Sequence, residues 1–208
     1  MTGTGQPAIV AATANPAKLE ELRLALARTG LELTLTARPA DLGDVVEDAD
    51  SLAGNARLKA EAVRAHTGET AMADDTGLFV DVLGGRPGVH SARFAGPDAT
   101  DADNVALLLA EMDRAGRPNR AARFRTVLVV ATADGRELVV EGVTEGTIAH
   151  TARGTNGFGY DPVFVPAGGG GATYAELPAA EKDRIGHRGR AVRALAGQLG
   201  AFLDGGGN

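Results

Sequence analysis

Two adjacent carboxylates, Asp74 and Asp75, follow the short apolar run Ala71-Met72-Ala73 and precede the small residues Thr76 and Gly77. Carboxylates at the end of an apolar run sit at the rim of a core, where they bind a cation, hold a proton or suffer desolvation. Taken alone, the string reads first as a turn of acceptor-rich residues capping a strand. A second stretch with chemical potential is Thr13-Ala14-Asn15-Pro16-Ala17-Lys18. Asn15 suits a helix N-cap and Pro16 the first helical position, so unpaired N–H groups would face an anion there, with Lys18 adding a charge. A plain capped helix with a solvated Lys18 fits the same residues. Asn55 and Lys59 are four apart and share a helix face. The glycine-rich segment from Gly154 to Pro166 places Phe158, Gly159, Tyr160 and Asp161 in a turn, and Lys182, His187 and Arg188 lie ahead of the last amphipathic run.

These groups need elements to hold them. Ala8 to Ala12 reads as a buried strand leading into the helix that Asn15 starts; Leu19, Leu22 and Leu26 recur at helical spacing and Gly30 ends it. Leu31, Leu33 and Leu35 alternate with polar residues as a half-buried strand. The acidic stretch Asp41 to Asp50, which contains Glu47, reads as a loop. Ser51 caps a helix with Leu52, Ala56, Ala60 and Val63 inward, closed by Gly68. The strand-like LFVDV follows the aspartate pair, then the turn-rich GGRPG and Arg93. Asp98 to Asp103 starts a further helix. Ala122 to Ala133 and Glu137 to Thr144 form a hairpin across Asp134-Gly135, which breaks a purely alternating strand–helix order and predicts a mixed sheet. Val192, Leu195, Leu199 and Phe202 mark the last helix. Gly168 to Gly171 lacks the side chains to pack, and residues 1–7 and 204–208 read as disordered ends around a single domain, 8–203.

Composition excludes several classes. The 208 residues carry a net charge of -6, which argues against coating a nucleic-acid polymer. Without cysteine there is no disulfide, thiol nucleophile or cysteine zinc site. No apolar run reaches membrane-spanning length and no leader is evident, so a cytoplasmic protein with no membrane partner is expected.

Taken in order, the segments resemble the inosine triphosphate pyrophosphatase family, the noncanonical purine nucleoside triphosphate pyrophosphatases. Thr13 to Lys18 resembles its TxNxxK phosphate loop, and Asn55-Ala56 with Lys59-Ala60 its NAxxKA helix. Ala73 to Leu78 and Gly88 to Arg93 resemble ADDSGL and PGxxSAR; Gly157 to Phe164 resembles GFGYDPxF; Glu181-Lys182 with His187-Arg188-Gly189 resembles EKxxxSHRG. The set spans roughly residues 8 to 203. Three positions depart from the pattern: Thr76 replaces serine, Gly186 replaces the serine before His187, and Gly54 stands where a glutamate usually precedes Asn55.

The resemblance implies an α/β fold, an elongated mixed β-sheet flanked by helices as two lobes around a central cleft, and a homodimer with the GGRPG-to-SAR region at the contact. It implies hydrolysis of dITP, ITP or XTP to the monophosphate and pyrophosphate with Mg2+. Glu47 and Asp75 would hold the metal with Asp74 in reserve, and Asp75 would orient or deprotonate the attacking water. Lys18, Lys59 and Lys182 would grip phosphates beside Thr13 and Asn15. Phe158 to Asp161 would stack the base and His187 with Arg188 would read its 6-keto group; Thr76 and Arg93 complete the substrate-binding set. Alternatives are a related pyrophosphatase for modified pyrimidine nucleotides, or a nucleotide-binding protein weakened at Gly54.

Overall fold

Near-continuous burial along a central strand sets the architecture. In β3 (Ala71–Val80) the residues Ala71 to Asp75, Gly77, Leu78 and Val80 are all buried, so this strand is covered on both faces. The computed structural model describes residues 7–116 and 119–205. The expectation for residues 1–7 and 204–208 therefore falls largely outside the described residues; Asp204 and Gly205 prolong the final helix through bonds to the carbonyls of Gly200 and Phe202.

The chain divides into two compact units. The first comprises the chain through Asp75, Val127–Glu141 and the chain from Ala191 onward. It contains β1 (Ala8–Ala11), α1 (Pro16–Ala27), β2 (Thr34–Thr36) and α2 (Leu52–Thr67). β1 pairs in parallel with β2, Ile9 opposite Leu35, and with the start of β3, Val10 opposite Ala71. The sheet continues into β5 (Ala121–Ala131) and β6 (Glu137–Ile148), whose first-unit parts are 127–131 and 137–141. On one sheet face Ile9, Ala11, Met72, Leu128 and Val130 pack with Leu22, Ala25 and Leu26 of α1 and Ala191, Val192, Leu195 and Leu199 of α5 (His187–Leu203). Burying a leucine-sized side chain contributes about 1.5–3 kcal/mol, so this cluster dominates the unit's stability.

The second unit, Thr76–Thr126 with Gly142–Arg190, has a core of its own. β4 (Pro87–Gly88) pairs antiparallel with the end of β3, and β7 (Phe164–Pro166) pairs antiparallel with β6. α3 (Asp101–Ala115) begins with a reciprocal capping box between Thr100 and Asp103 and buries Val105, Leu108 and Met112. Phe124, Phe164 and Tyr174 form an aromatic centre, with Phe124 and Phe164 edge-to-face at 4.8 Å. α4 (Ala179–Ile185) ends at Gly186.

The mixed sheet flanked by helices matches the expected fold class. Several local readings change. The Asp74-Asp75-Thr76-Gly77 string is the middle of β3, not a strand-capping turn, because pairing continues through it to Val80. The strand read at Leu31 to Leu35 is the shorter Thr34–Thr36, fixed by the register against β1. β6 runs on to Ile148 because β7 gives it a second partner at Gly146, Thr147 and Ile148.

Candidate active site

The alternation of β3 decides what each aspartate meets. Consecutive strand residues point to opposite sheet faces. Asp74 shares the face of Met72, where α1 packs, and its Oδ2 lies 3.6 Å from Lys18 Nζ. Asp75 faces α2, and its Oδ1 accepts from Lys59 Nζ at 3.1 Å. Lys59 also donates to Glu47 Oε2 at 3.1 Å, so one ammonium holds carboxylates from the acidic loop and from the strand. Asn55, one turn before Lys59, donates from Nδ2 to Asp75 Oδ2 at 3.4 Å and accepts from the Ala49 amide at 3.0 Å. It thereby ties the loop carrying Glu47 to β3. Helical spacing makes this possible, since Asn55, Ala56, Lys59, Ala60 and Val63 form the buried stripe of α2.

Burial and pairing oppose each other in this cluster. Desolvation works to lower the Lys59 ammonium, but Asp75, Asp74 and Glu47 together hold it above the ordinary lysine value. For Asp75 desolvation is the largest influence and raises its carboxyl above the usual aspartate range, although Lys59 and Lys18 pull it down. Glu47 and Asp75 supply hard oxygen donors, here bridged by the Lys59 ammonium, which a divalent ion would have to displace. Such donors suit a hard divalent ion of the kind that takes one or two carboxylates and keeps several waters. Among the described residues no three acidic or histidine side chains converge on a point by themselves, so such an ion would draw its remaining ligands from water or substrate.

The loop before α1 behaves differently from the sequence expectation. Asn15 caps the helix, its Oδ1 accepting from the amides of Ala17 at 2.9 Å and Lys18 at 3.2 Å. The Asn15 amide donates to Thr13 Oγ1, and the Leu19 amide to the Asn15 carbonyl. The N–H groups expected to await an anion are thus taken up within the loop. A groove of about 360 Å³ runs beside it, lined by Thr13, Asn15, Pro16, Arg38, Pro39 and Asp44. Arg38 donates to the carbonyls of Leu42 and Gly43, shaping the far wall. The motif reading had not singled it out.

In the second unit, Phe158 lies beneath two cations: Lys182 Nζ is 5.0 Å and the Arg188 guanidinium carbon 5.6 Å from its ring centre. Asp161 Oδ2 accepts from the Phe158 amide at 2.9 Å and from Lys182 Nζ at 2.6 Å, fixing both ring and ammonium. Gly157 permits this: its φ is +77°, and a Cβ there would come within 2.0 Å of Asp161 Oδ2. The Gly159 amide donates to Asp101 Oδ2 at 2.6 Å. Tyr160 is buried with its hydroxyl donating to the Ser91 carbonyl at 2.8 Å, and desolvation lifts its phenol well above the ordinary tyrosine value. Arg93 is half-buried in the short helical turn Ser91–Arg93. Lys182 stands on α4 and His187 and Arg188 open α5, where the sequence had placed all three ahead of one helix.

His187 stacks on Phe124 at 4.7 Å with a 20° interplanar angle. Its Nδ1 is 2.6 Å from Thr126 Oγ1, which is 2.7 Å from Thr76 Oγ1, which accepts from Arg188 at 3.3 Å. Thr126 and Phe124 escaped the motif reading because their types and strand spacing look like ordinary core. Gly186 also has a structural reason: a Cβ there would lie 2.3 Å from the Lys182 carbonyl that closes α4.

The Ham1 family profile matches residues 9–198. The chain is 48% identical over 189 residues to a dITP/XTP pyrophosphatase of Streptomyces avermitilis, covering 90% of this chain and 94% of the relative. It is 43% identical to the dITP/XTP pyrophosphatase of Methylococcus capsulatus over 95% of this chain and 98% of that one. Among solved structures, a HAM1 protein from Coxiella burnetii superposes with a TM-score of 0.85 at 36% identity, covering 93% of this chain and 98% of that chain. A nucleoside-triphosphatase/dITP/XTP pyrophosphatase from Mycobacterium abscessus superposes with a TM-score of 0.71 at 44% identity, covering 90% and 98%. Ordered motifs, fold and these likenesses agree: the chain belongs to the Ham1 family.

Proposed function

We propose that this protein hydrolyses noncanonical purine nucleoside triphosphates, dITP, ITP, XTP and dXTP, to the monophosphate and pyrophosphate. The observation that carries the reading is the convergence of Glu47 and Asp75 on the buried Lys59, beside the Lys18–Asp74 pair. A triphosphate bears about four negative charges, and its cleavage rests on positioning and charge stabilisation. Lys18 and Lys59 supply cations for phosphate oxygens, with Thr13 and Asn15 shaping the loop. Glu47 and Asp75 would hold Mg2+, with Asp74 kept to Lys18; the ion would spread phosphate charge and acidify water. Asp75 would orient the attacking water or take its proton.

Phe158 offers a stacking face, which Asp161 and Lys182 fix in place, while Gly159 and Tyr160 anchor the turn that carries it. Arg188 and His187 donate to the 6-keto oxygen of hypoxanthine or xanthine, a contact adenine cannot return because its 6-amino group is itself a donor. Thr76 links Arg188 to β3, and Arg93 takes part in substrate binding. Two copies associate through the region from Gly84 to Arg93, and the enzyme works in the cytoplasm on the free nucleotide pool. No described helix is long and apolar enough to cross a membrane.

The test is pyrophosphate release from dITP, XTP, dGTP and dATP with magnesium, for the wild type and Asp75→Asn. The expected result is rapid turnover of dITP and XTP, poor turnover of the other two, and a loss of at least about 10²-fold in the variant. Binding without release from any of the four would defeat the reading. Preference for modified pyrimidine triphosphates over dITP would replace it with the pyrimidine alternative.

A further inference from the structure

The first turn of α3 carries two acids with different duties. Asp103 serves the capping box: its Oδ2 accepts from the Thr100 amide at 2.9 Å, and its own amide donates to Thr100 Oγ1 at 3.2 Å. Asp101 lies outside that exchange. Its Oδ2 accepts from the Gly159 amide at 2.6 Å, across 58 residues of chain. An acid here suits the positive end of a helix whether or not its side chain touches anything, so the helix does not require the contact. Hydrogen bonds to an ionised acceptor are roughly twice as strong as those between neutral groups. Packing offers no substitute: a Cβ at Gly159 would meet no described atom within 4 Å.

The same helix turn braces the neighbouring segment. Asn104, three residues on and so on the same helix face, accepts at Oδ1 from the Ala95 amide at 2.8 Å and donates from Nδ2 to the Ala92 carbonyl at 3.1 Å. Next to Ala92, the Ser91 carbonyl accepts from the Tyr160 hydroxyl at 2.8 Å. Tyr160 follows Gly159 directly, so the contacts close a circuit from Asp101 through Gly159, Tyr160, Ser91 and Asn104 back to α3. Asn104 and Tyr160 are buried, at 2% and 4% exposure, whereas the Asp101–Gly159 bond lies at the surface. Phe158 precedes Gly159 and shares its turn.

We propose that Asp101 is a positioning residue for base binding: by holding the Gly159 amide it keeps the Phe158 ring in place as a stacking face. The consequence for binding rests on the reading that Phe158 stacks the purine. Loss of the bond frees the exposed arm of the circuit and leaves the buried arm intact, so the turn moves while the fold stays. Affinity should then fall for ligands that carry a base. It should hold for bare phosphate chains, whose proposed cations Lys18 and Lys59 belong to the first unit.

The experiment compares the full-length wild type with Asp101→Ala, Asp101→Asn and, as a control, Asp98→Ala, which removes an exposed carboxylate from the approach to α3. The readouts are kcat and KM for dITP, calorimetric affinity for dIMP and for tripolyphosphate, and the amide NMR signal of Gly159. Asp101→Ala should shift the Gly159 proton upfield, and should raise KM for dITP and weaken dIMP by about tenfold. Turnover number and tripolyphosphate affinity should stay within about twofold. Asp101→Asn, which keeps an acceptor, should recover most of the loss, and Asp98→Ala should match the wild type. An unchanged dIMP affinity with the Gly159 signal shifted overturns the proposal, as does an equal loss for tripolyphosphate or a fall in kcat alone. If the alanine variant fails to fold, Asp101→Ser, whose hydroxyl stops one bond short of Gly159, must show the same split between dIMP and tripolyphosphate. Absence of dITP turnover in a wild type whose dIMP binding depends on Asp101 would instead count against the pyrophosphatase reading.

Discussion

At the residue scale, Gly54 looks like a lost acid until the surrounding atoms are considered. A Cβ at position 54 would lie 2.6 Å from the methyl of Ala49 and 3.1 Å from Ser51 Oγ, the N-cap of α2. Ala49 and glycine at 54 therefore fit one another, while Glu47 remains at Lys59. Gly54→Glu is expected to lower Tm by several degrees, the effect of about 1–3 kcal/mol of overpacking. Ala49→Gly combined with Gly54→Glu should recover most of that loss, as thermal denaturation would record. The buried aspartate makes a second prediction. Because burial raises the Asp75 carboxyl in the folded protein, its ionised form opposes folding: the contribution to stability is greatest below the unfolded aspartate value and falls as pH rises through the folded one. A 13C titration of the metal-free protein should place the Asp75 midpoint above 3.8, and Lys59→Met should move it higher still. A midpoint at or below the ordinary value would refute the account.

At the element scale, two short loops hold side chains in place by local bonds. Asn15→Ala removes the acceptor for two amides at the start of α1, and should cost about 1 kcal/mol in urea denaturation. The same change uncovers those N–H groups. A KM for dITP that rises would show that the Asn15 side chain helps bind substrate; a KM that falls would show that the cap competes with phosphate. The turn carrying Phe158 is more constrained. Gly157→Ala places a methyl against Asp161 in a left-handed backbone, so the Asp161–Lys182 pair must separate. We expect KM for dITP to rise about tenfold or more, with no comparable loss for Gly168→Ala in a loop where a Cβ meets open space.

At the scale of the whole molecule, charge management dominates. The first unit buries Lys59 together with Asp74 and Asp75, and such a group is costly to break: removing one partner of a buried pair typically costs about 3–5 kcal/mol. With Glu47 and Asp75 as the converging carboxylates, metal affinity should depend on the triphosphate. Removal of divalent ions with EDTA should abolish pyrophosphate release and excess Mg2+ should restore it. Calorimetry should detect much tighter Mg2+ binding with a non-hydrolysable dITP analogue than without it. Equal affinity in both cases would point to further protein ligands.

The fold was legible in the sequence wherever local rules decide. Asn15, Ser51 and Gly68 mark helix ends at the positions where the caps form, and the Leu52–Val63 stripe of α2 follows from helical spacing alone. Asp134-Gly135 marks the turn between β5 and β6, and the ordered motifs identify the family. Sequence could not place Asp74 and Asp75 within a continuous strand, because the pairing with β1 that starts it sets Val10 opposite Ala71, far along the chain. Nor could it show that one aspartate meets Lys18 and the other Lys59, since that follows from which helix covers each face. The Thr126–His187 contact joins residues 61 apart. Helix starts and turns are fixed by the near neighbours of each residue, whereas the electrostatics of a buried site depend on which distant groups the tertiary fold brings within hydrogen-bonding range.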